Sequence, residues 1–499
     1  MEERTRLELP ELFGDAVLAS ADGPPTLQLS IGGEWRPAAS GATFEVTSPI
    51  DGNAIARAQA ADRDDVEAAI GAARDARASF RETSAAERLE ICERAAEIID
   101  RHLDAFIDTI VIDLGKTPSQ AKSEATATRE RLGLVREEAR RIFGEYLPGD
   151  WIPDTRGKSA IVLREPVGTV AALGPFNYPL FLTASKVIPA IAGGNTVVAK
   201  APSDDPIALT LFVRALEAAG LPAGVLNLVT GRGGEIGDLF AGHQDVSMIS
   251  FTGSARIGRR IAELAGPKPL HLELGGNAAA IVLADADLEL AVEKSVDGAF
   301  KNAGQRCDAV SRVLVERAVY DDYVERAVDV AKGYVMGDPR AEGVDVGPLV
   351  SERAVEAVKE LVADAVAKGA RMPVGGASEA CFHEPTVLAD VSLEADIVWE
   401  ETFGPVLTIV GVDDLEAAVE VANRSRYGLD SCIFSSSLDT AWRAARALEC
   451  GMVTINDVPA HGVGHFPFGG RKPDSGVGRE GLGYSIDECT ALKTVVLPS

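Results

Sequence analysis

No apolar run in this chain is long enough to span a bilayer, although hydrophobic residues make up 46% of it. No membrane partner is expected. Only six of the 499 residues are cysteine, scattered at 92, 307, 381, 432, 450 and 489. None form a CxxC pair, so neither a disulfide scaffold nor a structural zinc site is indicated. The six histidines are dispersed, apart from His461 and His465. Those two share a glycine-rich loop with no carboxylate or thiol in it, so no metal is expected. Positive charge is scarce: 49 Lys and Arg face 76 Asp and Glu, a net charge of −27. That balance argues against a nucleic-acid partner. No internal repeat or low-complexity linker is visible. The start, Met1-Glu2-Glu3-Arg4-Thr5-Arg6, lacks the basic and apolar regions of a signal peptide, so a cytoplasmic location is expected.

What is present is enough chain for two or three domains. Residues 1–45 read as an irregular lead-in with one or two short strands. From about 62 to 146 the apolar spacing is helical. Between 159 and 283, strands expected at 159–164, 168–173, 195–199, 225–229, 246–250, 269–274 and 279–283 alternate with helices at 183–192, 205–219, 234–241 and 254–265. This alternation argues for an α/β fold with an open, largely parallel sheet, whose ligands bind beyond the carboxyl ends of the strands. A helix is expected from Asp287 to Gly304, then a strand from Val310 to Val315. A second α/β alternation runs from 317 to 455. The tail from Thr490 to Leu497 reads as a strand whose edge needs a partner.

Three residues carry candidate chemistry. A free cysteine is usually a small buried hydrophobe. Cys307 differs, because it follows the polar, flexible Gly304-Gln305-Arg306, and the adjacent cation favours thiolate. The other five cysteines keep the plain reading. Glu273 ends the apolar run Pro269-Leu270-His271-Leu272, where desolvation raises a carboxyl toward a working base. The plain alternative is an edge glutamate facing water. Asn177 sits between Phe176 and Tyr178, in a turn fixed by Pro175 and Pro179. Its NH2 can donate to an oxyanion or simply shape the turn. Together they suit thioester chemistry. A thiolate adds to a carbonyl, an amide steadies the oxyanion, and a carboxylate activates the water that hydrolyses the thioester. Phe251-Thr252-Gly253-Ser254-Ala255-Arg256-Ile257-Gly258 opens a helix whose amides suit a pyrophosphate, although it is not GxGxxG. Gly231-Arg232-Gly233-Gly234 is a second glycine loop before a helix. Lys200 ends a strand, where it meets a ribose or phosphate or only solvent.

Taken in order, these motifs resemble the aldehyde dehydrogenase superfamily from about residue 30 to the end. The resemblance also rests on Glu400-Glu401-Thr402-Phe403-Gly404-Pro405, Phe466-Pro467-Phe468-Gly469-Gly470 and Asp474-Ser475-Gly476. It implies a Rossmann-type cofactor domain (1–139 and 159–274), an α/β catalytic domain (275–455) and a small β oligomerisation arm (140–158 and 480–499). A homodimer or homotetramer follows. By the resemblance, Cys307 is the nucleophile and Glu273 the general base. Asn177 and the Cys307 N–H form the oxyanion hole. Lys200 meets the adenosine ribose and Ser254, beside Gly253, the pyrophosphate. Glu401 holds the nicotinamide ribose, with Phe403 and Phe176 nearby.

Within the superfamily the chain is similar to non-phosphorylating glyceraldehyde-3-phosphate dehydrogenases and to lactaldehyde dehydrogenases. Tyr178, Arg306 and His461 stand where such enzymes hold the substrate's phosphate. Ala127 replaces an arginine expected there, with Arg129 and Arg131 close by, and His461 replaces another. The leading substrate is a small phosphorylated aldehyde. Lactaldehyde, glycolaldehyde and succinate semialdehyde are alternatives. A CoA-acylating enzyme and a non-catalytic member are further ones, disfavoured by the intact Glu273 and the full chemical set. NAD-preferring relatives place a glutamate three residues after the lysine. Ser203 stands there instead, so NADP is expected to be preferred over NAD.

The abundance of Asp and the scarcity of Lys beside Arg suit a halophile, whose carboxylate surface holds water in concentrated salt. An acidic protein from a GC-rich mesophile has a similar composition. For a halophile, activity and melting temperature should rise with KCl; best stability in dilute buffer rules it out.

Overall fold

The computed structural model describes residues 9–20, 23–460 and 464–498. Its first sheet has eight strands around a parallel core of five. Thr169–Leu173 lies in the middle. Thr196–Lys200 and Leu226–Val229 follow on one side, Met248–Thr252 and Leu270–Glu273 on the other. Strand order therefore reverses beside Thr169–Leu173, which opens a crevice at the carboxyl ends there. These strands are buried almost throughout because helices cover both faces. The helix Phe181–Ala192 has no exposed residue.

The second sheet has seven strands, with Val310–Glu316 and Ala278–Val282 near its centre. All its pairings are parallel except Arg371–Val374 with Thr386–Ala389. A three-stranded antiparallel sheet joins Glu145–Pro148, Lys158–Pro166 and Thr490–Pro498. No helix among the described residues is long and apolar enough to cross a membrane.

The expected strands and helices between 159 and 283 are all present, with ends shifted by one or two residues. Two strands leave the sheet expected for them. Lys158–Pro166 pairs with the tail, and Ala278–Val282 enters the second sheet. Their composition gave no sign of this, since strand partners are chosen by topology. The lead-in holds more than one or two strands: Val17–Leu18, Thr26–Leu27, Leu29–Ile31, Glu34–Arg36 and Thr43–Thr47. Most are too short to show a period. The helical stretch begins with capping boxes at Asp62 and Ser84, and Thr117 caps Pro118–Glu138.

The helix expected to reach Gly304 ends at Phe300. Asn302, Ala303 and Gly304 then take φ of 54°, 51° and 71°. The apolar spacing continues to Ala303 because that side chain is buried. Spacing reports burial and not backbone hand. Each non-glycine residue in this left-handed region costs roughly 1–2 kcal/mol, so the turn must be held by contacts. At Gly304 a Cβ would stand 2.1 Å from the Gly404 carbonyl oxygen, so no side chain fits.

Candidate functional site

Cys307 follows this left-handed turn and precedes Val310–Glu316. The turn is pinned across the cleft. The Asn302 side-chain amide donates to Asn177 O and Gln305 O, both at 3.3 Å. Asn177 Nδ2 donates to Gln305 O at 2.9 Å. Gln305 Oε1 accepts from Val350 N at 2.9 Å. Gly276 lies against the loop, where a Cβ would come within 1.9 Å of Cys307 O.

Two cavities meet at this point, and Cys307 and Asn177 line both. The cavity over the first sheet holds about 400 Å³. Its walls include Phe176, Lys200, Ser203, Gly253, Ser254, Glu401 and Phe403. The Phe176 and Phe403 rings meet edge to face, 5.7 Å apart. Ser254 begins the helix Ala255–Ala265, yet its hydroxyl caps none of that helix's amides. The Thr252 hydroxyl also lacks a partner. A helix N-terminus, two free hydroxyls and a lysine together suit a phosphorylated dinucleotide. Burial pulls Lys200 down to about 8, with Asp204 and Asp205 opposing; its Nζ donates to Ala201 O at 2.7 Å. Ser203 Oγ donates to Gly231 O at 3.0 Å. Asp204 lines the cavity, whereas buried Asp205 faces Asp113. Glu401 accepts from Gly276 N at 3.0 Å, and burial lifts its carboxyl to about 7.

The second cavity holds about 550 Å³. Tyr178, Arg306, Ala127, Lys122, Glu124 and Lys301 line it. Arg306 is already matched, holding Asp308 with Nε and an Nη at 3.0 Å each. Lys116 Nζ sits 3.3 Å over the Tyr178 ring and pairs with Glu124 at 2.7 Å. Arg129 pairs with Asp100 and Glu130, and buried Arg131 pairs with Glu480, so neither substitutes for the arginine absent at Ala127. His461 lies outside the described residues.

Glu273 ends the strand Leu270–Glu273, two residues before Gly275 of the cofactor-side cavity. It is buried, and neither carboxylate oxygen has a hydrogen-bond partner. Burial first, then Glu480, pushes it well above the carboxylate range. The Cys307 thiol is likewise pushed well up, by burial and then by Asp308, Asp430, Glu401 and Glu273. This corrects the expectation drawn from Arg306. Next to Cys307 in sequence, its charge is spent on Asp308, so the net field on the thiol is negative. Sequence reading also missed Lys122, Lys301, Thr252 and the groups around Glu273, namely His271, Lys186, Glu480 and Glu488. Thr252 and His271 lie inside runs quoted above without a role of their own, and the others carry no motif because tertiary packing brings them in.

A model of the aldehyde dehydrogenase family matches residues 35–495. The chain belongs to that family, whose members are NAD(P)-dependent oxidoreductases acting on aldehydes. Vanillin dehydrogenase of Corynebacterium glutamicum is 39% identical over 92% of this chain and 95% of its own. The 3-sulfolactaldehyde dehydrogenase of Priestia aryabhattai is 37% identical over 94% and 97%. The NADP-dependent glyceraldehyde-3-phosphate dehydrogenase of Bacillus halodurans, solved with NADP, superposes with a TM-score of 0.92 at 36% identity. That match covers 94% of this chain and 99% of the other.

The field on Cys307 sets a pH test. A thiol held above its ordinary range is mostly neutral at pH 7, so its thiolate fraction keeps growing as pH rises. Alkylation of cofactor-free protein by iodoacetamide, followed at Cys307 by peptide mass, should still be accelerating above pH 9. A plateau reached below pH 8 would mean that Arg306 activates the thiol after all.

Proposed function

We propose that this chain oxidises a small aldehyde carrying an anionic group to its carboxylate through a Cys307 thioester, with NADP preferred over NAD. Glyceraldehyde 3-phosphate is the leading candidate. The observation that carries this reading is the meeting of the two cavities at Cys307 and Asn177. One admits a dinucleotide and the other a small substrate.

Cys307 Sγ, once deprotonated, adds to the carbonyl carbon. Asn177 Nδ2 has a second hydrogen beyond the one given to Gln305 O, and that hydrogen with the Cys307 N–H holds the oxyanion. Lys200, Ser203, Gly253 and Ser254 hold the adenosine and phosphate end of the cofactor, and Glu401, Phe176 and Phe403 the nicotinamide end. Bound NADP supplies the hydride acceptor. Glu273 then takes a proton from the water that attacks the thioester. Water as acyl acceptor gives that carboxyl a task, which a CoA-acylating reaction would not.

The tail-binding end needs a different reading from the arginine set expected. Arg306 is engaged by Asp308, and Ala127 offers no charge. Among the described residues, the cavity's cations without an acidic partner are Lys122 and Lys301, both exposed at its mouth. Ammonium groups bind phosphate or sulfonate as point charges rather than as bidentate forks. Two relatives' names carry such groups on a three-carbon aldehyde, which supports the reading. Vanillin, an aromatic aldehyde with neither phosphate nor sulfonate, is the substrate class that opposes it.

The three-stranded sheet supports a homodimer or homotetramer. Tyr146, Leu147, Leu492 and Val496 are exposed on it, and Trp151 beside it is 83% exposed. So much bare apolar surface on an arm fits cover by a second copy.

Two measurements test the proposal. The first ranks kcat/KM with NADP for glyceraldehyde 3-phosphate, lactaldehyde, glycolaldehyde, succinate semialdehyde and vanillin. Glyceraldehyde 3-phosphate should lead, and Lys122→Ala with Lys301→Ala should cost it about tenfold while leaving lactaldehyde nearly unchanged. A neutral aldehyde in first place defeats the anionic reading. The second concerns Ser203. A carboxylate about 4 Å from the 2′-phosphate costs up to roughly 4 kcal/mol at an effective dielectric near 20, less where water screens it. Ser203→Glu should raise KM for NADP by about tenfold or more, and far less for NAD. Equal effects on both cofactors would show that Ser203 has no part in the choice.

A further inference from the structure

We propose that His271 is the proton outlet of Glu273, relaying to Glu488 and so to solvent the proton taken from the hydrolytic water. This rests on the reading of Glu273 as general base. A base that takes one proton per turnover must lose it before the next. Glu273 is buried, and the question is which group receives that proton.

The strand Leu270–Glu273 supplies the geometry. Residues two apart on a strand share a face, so His271 stands beside Glu273. His271 Nε2 lies 3.6 Å from Glu273 Oε1. On the other side of the ring, His271 Nδ1 is hydrogen-bonded to Glu488 Oε2. Glu488 ends the helix Leu482–Glu488, and its side chain is 29% exposed. The three groups form a line from the buried carboxyl to water. No hydrogen bond holds the Glu273 carboxylate, so a small rotation closes the remaining gap.

The other charged groups around Glu273 lead nowhere. Glu480, on the segment before that helix, is held by Arg131 Nη1 at 3.5 Å and by Lys186 Nζ at 3.6 Å. All three side chains are 2% exposed or less, so this cluster is closed to solvent. Arg479 donates to the carbonyls of Gly470 and Gly478, and a guanidinium keeps its protons. Its backbone N–H donates to Glu488 Oε1 at 2.8 Å, which fixes that carboxylate beside the imidazole. An imidazole can accept a proton at one nitrogen while releasing one from the other.

The step balances without an oxidant. A water O–H breaks as its oxygen bonds the thioester carbon, and the C–S bond then breaks to release the Cys307 thiolate. Glu273 takes the water proton and gives it to His271 Nε2. His271 Nδ1–H passes to Glu488, solvent takes it from there, and the ring turns over to bring a bare nitrogen back to Glu273 before the next turnover. His271 acts through Glu273 and is a positioning and relay residue, not one that touches the substrate.

The test avoids any assumption about the aldehyde. p-Nitrophenyl acetate is supplied in excess so that Cys307 is acetylated and freed many times, and the steady rate of acetate release after the first nitrophenol burst is followed from about pH 6 to 9. Wild type, Glu273→Gln, His271→Gln and Glu488→Gln are compared as full-length, NADP-loaded proteins. His271→Gln should slow hydrolysis about tenfold, flatten its pH profile and respond to added imidazole. Glu488→Gln should act in the same direction, and it keeps the buried ring in place should His271→Gln fold poorly. If both variants hydrolyse at the wild-type rate while Glu273→Gln stalls, the outlet proposal fails and the base reading stands. A slower His271→Gln with an unchanged pH profile and no response to imidazole means packing alone, and also overturns it. Wild-type hydrolysis in Glu273→Gln would instead overturn the base reading beneath it.

Discussion

Everything at this site depends on how the chain leaves the helix Leu288–Phe300. Two left-handed non-glycine residues in succession, Asn302 and Ala303, are intrinsically unfavourable, and they persist because amides on both sides of the cleft hold them. Asn177 comes from the turn after Thr169–Leu173 in the first sheet, and Asn302 from the approach to the second. Each bonds to the other's surroundings, so the clasp joins the two sheets at the point where both cavities open. Cys307 is placed by that clasp rather than by either sheet alone. The same amide that braces the loop has one hydrogen left to offer a developing oxyanion. In the proposed reaction, bracing and chemistry thus draw on one side chain, and a change at Asn177 affects both.

Burial also sets the resting protonation of the site. Cys307, Glu273 and Glu401 are all displaced toward their neutral forms, each chiefly by loss of water. These groups crowd several acids into one place, so ionising any one raises the cost of ionising the next. The site at rest is therefore held back. A cation arriving near Cys307 lowers the cost of forming thiolate there, since opposite charge in a poorly hydrated cleft acts strongly. Glu273 needs a different release. Its carboxyl has a neighbour able to carry a proton away, and its strand register places that neighbour without any special loop.

How far the sequence disclosed this differs residue by residue. The alternation from 159 to 283 was legible because buried parallel strands and amphipathic helices leave a period in composition. The motif residues were legible because Gly253, Gly275, Gly276 and Gly304 flank them where backbones approach closely. At Gly276 and Gly304 the structure shows why no larger residue fits. The end of the helix was misplaced because Ala303 keeps the apolar beat after the backbone has left it. Arg306 was misread because its partner, Asp308, was not weighed. Adjacent in sequence, the arginine is electrically cancelled in space. His271 looked like part of an apolar run, and its meaning came only from Glu488, more than two hundred residues away.

The substrate cavity sets the last constraint. A chain carrying −27 repels small anions at long range. That repulsion is damped beyond about 10 Å at 0.1 M salt and beyond about 3 Å at 1 M. In concentrated salt, neither the surface charge nor two exposed ammonium groups act at a distance, so capture of the proposed anionic tail has to occur by contact. Lys122 and Lys301 stand at the mouth, where contact occurs first, and the paired Arg306 and Asp308 lie deeper beside Cys307. This order separates two tasks. In the proposed function the outer lysines select for charge without ordering the reacting carbon, while the inner pair presents no net charge to it. The acidic surface and the cationic mouth therefore do not conflict. The first spreads over the whole molecule, and the second works within a few ångströms, where screening has little hold.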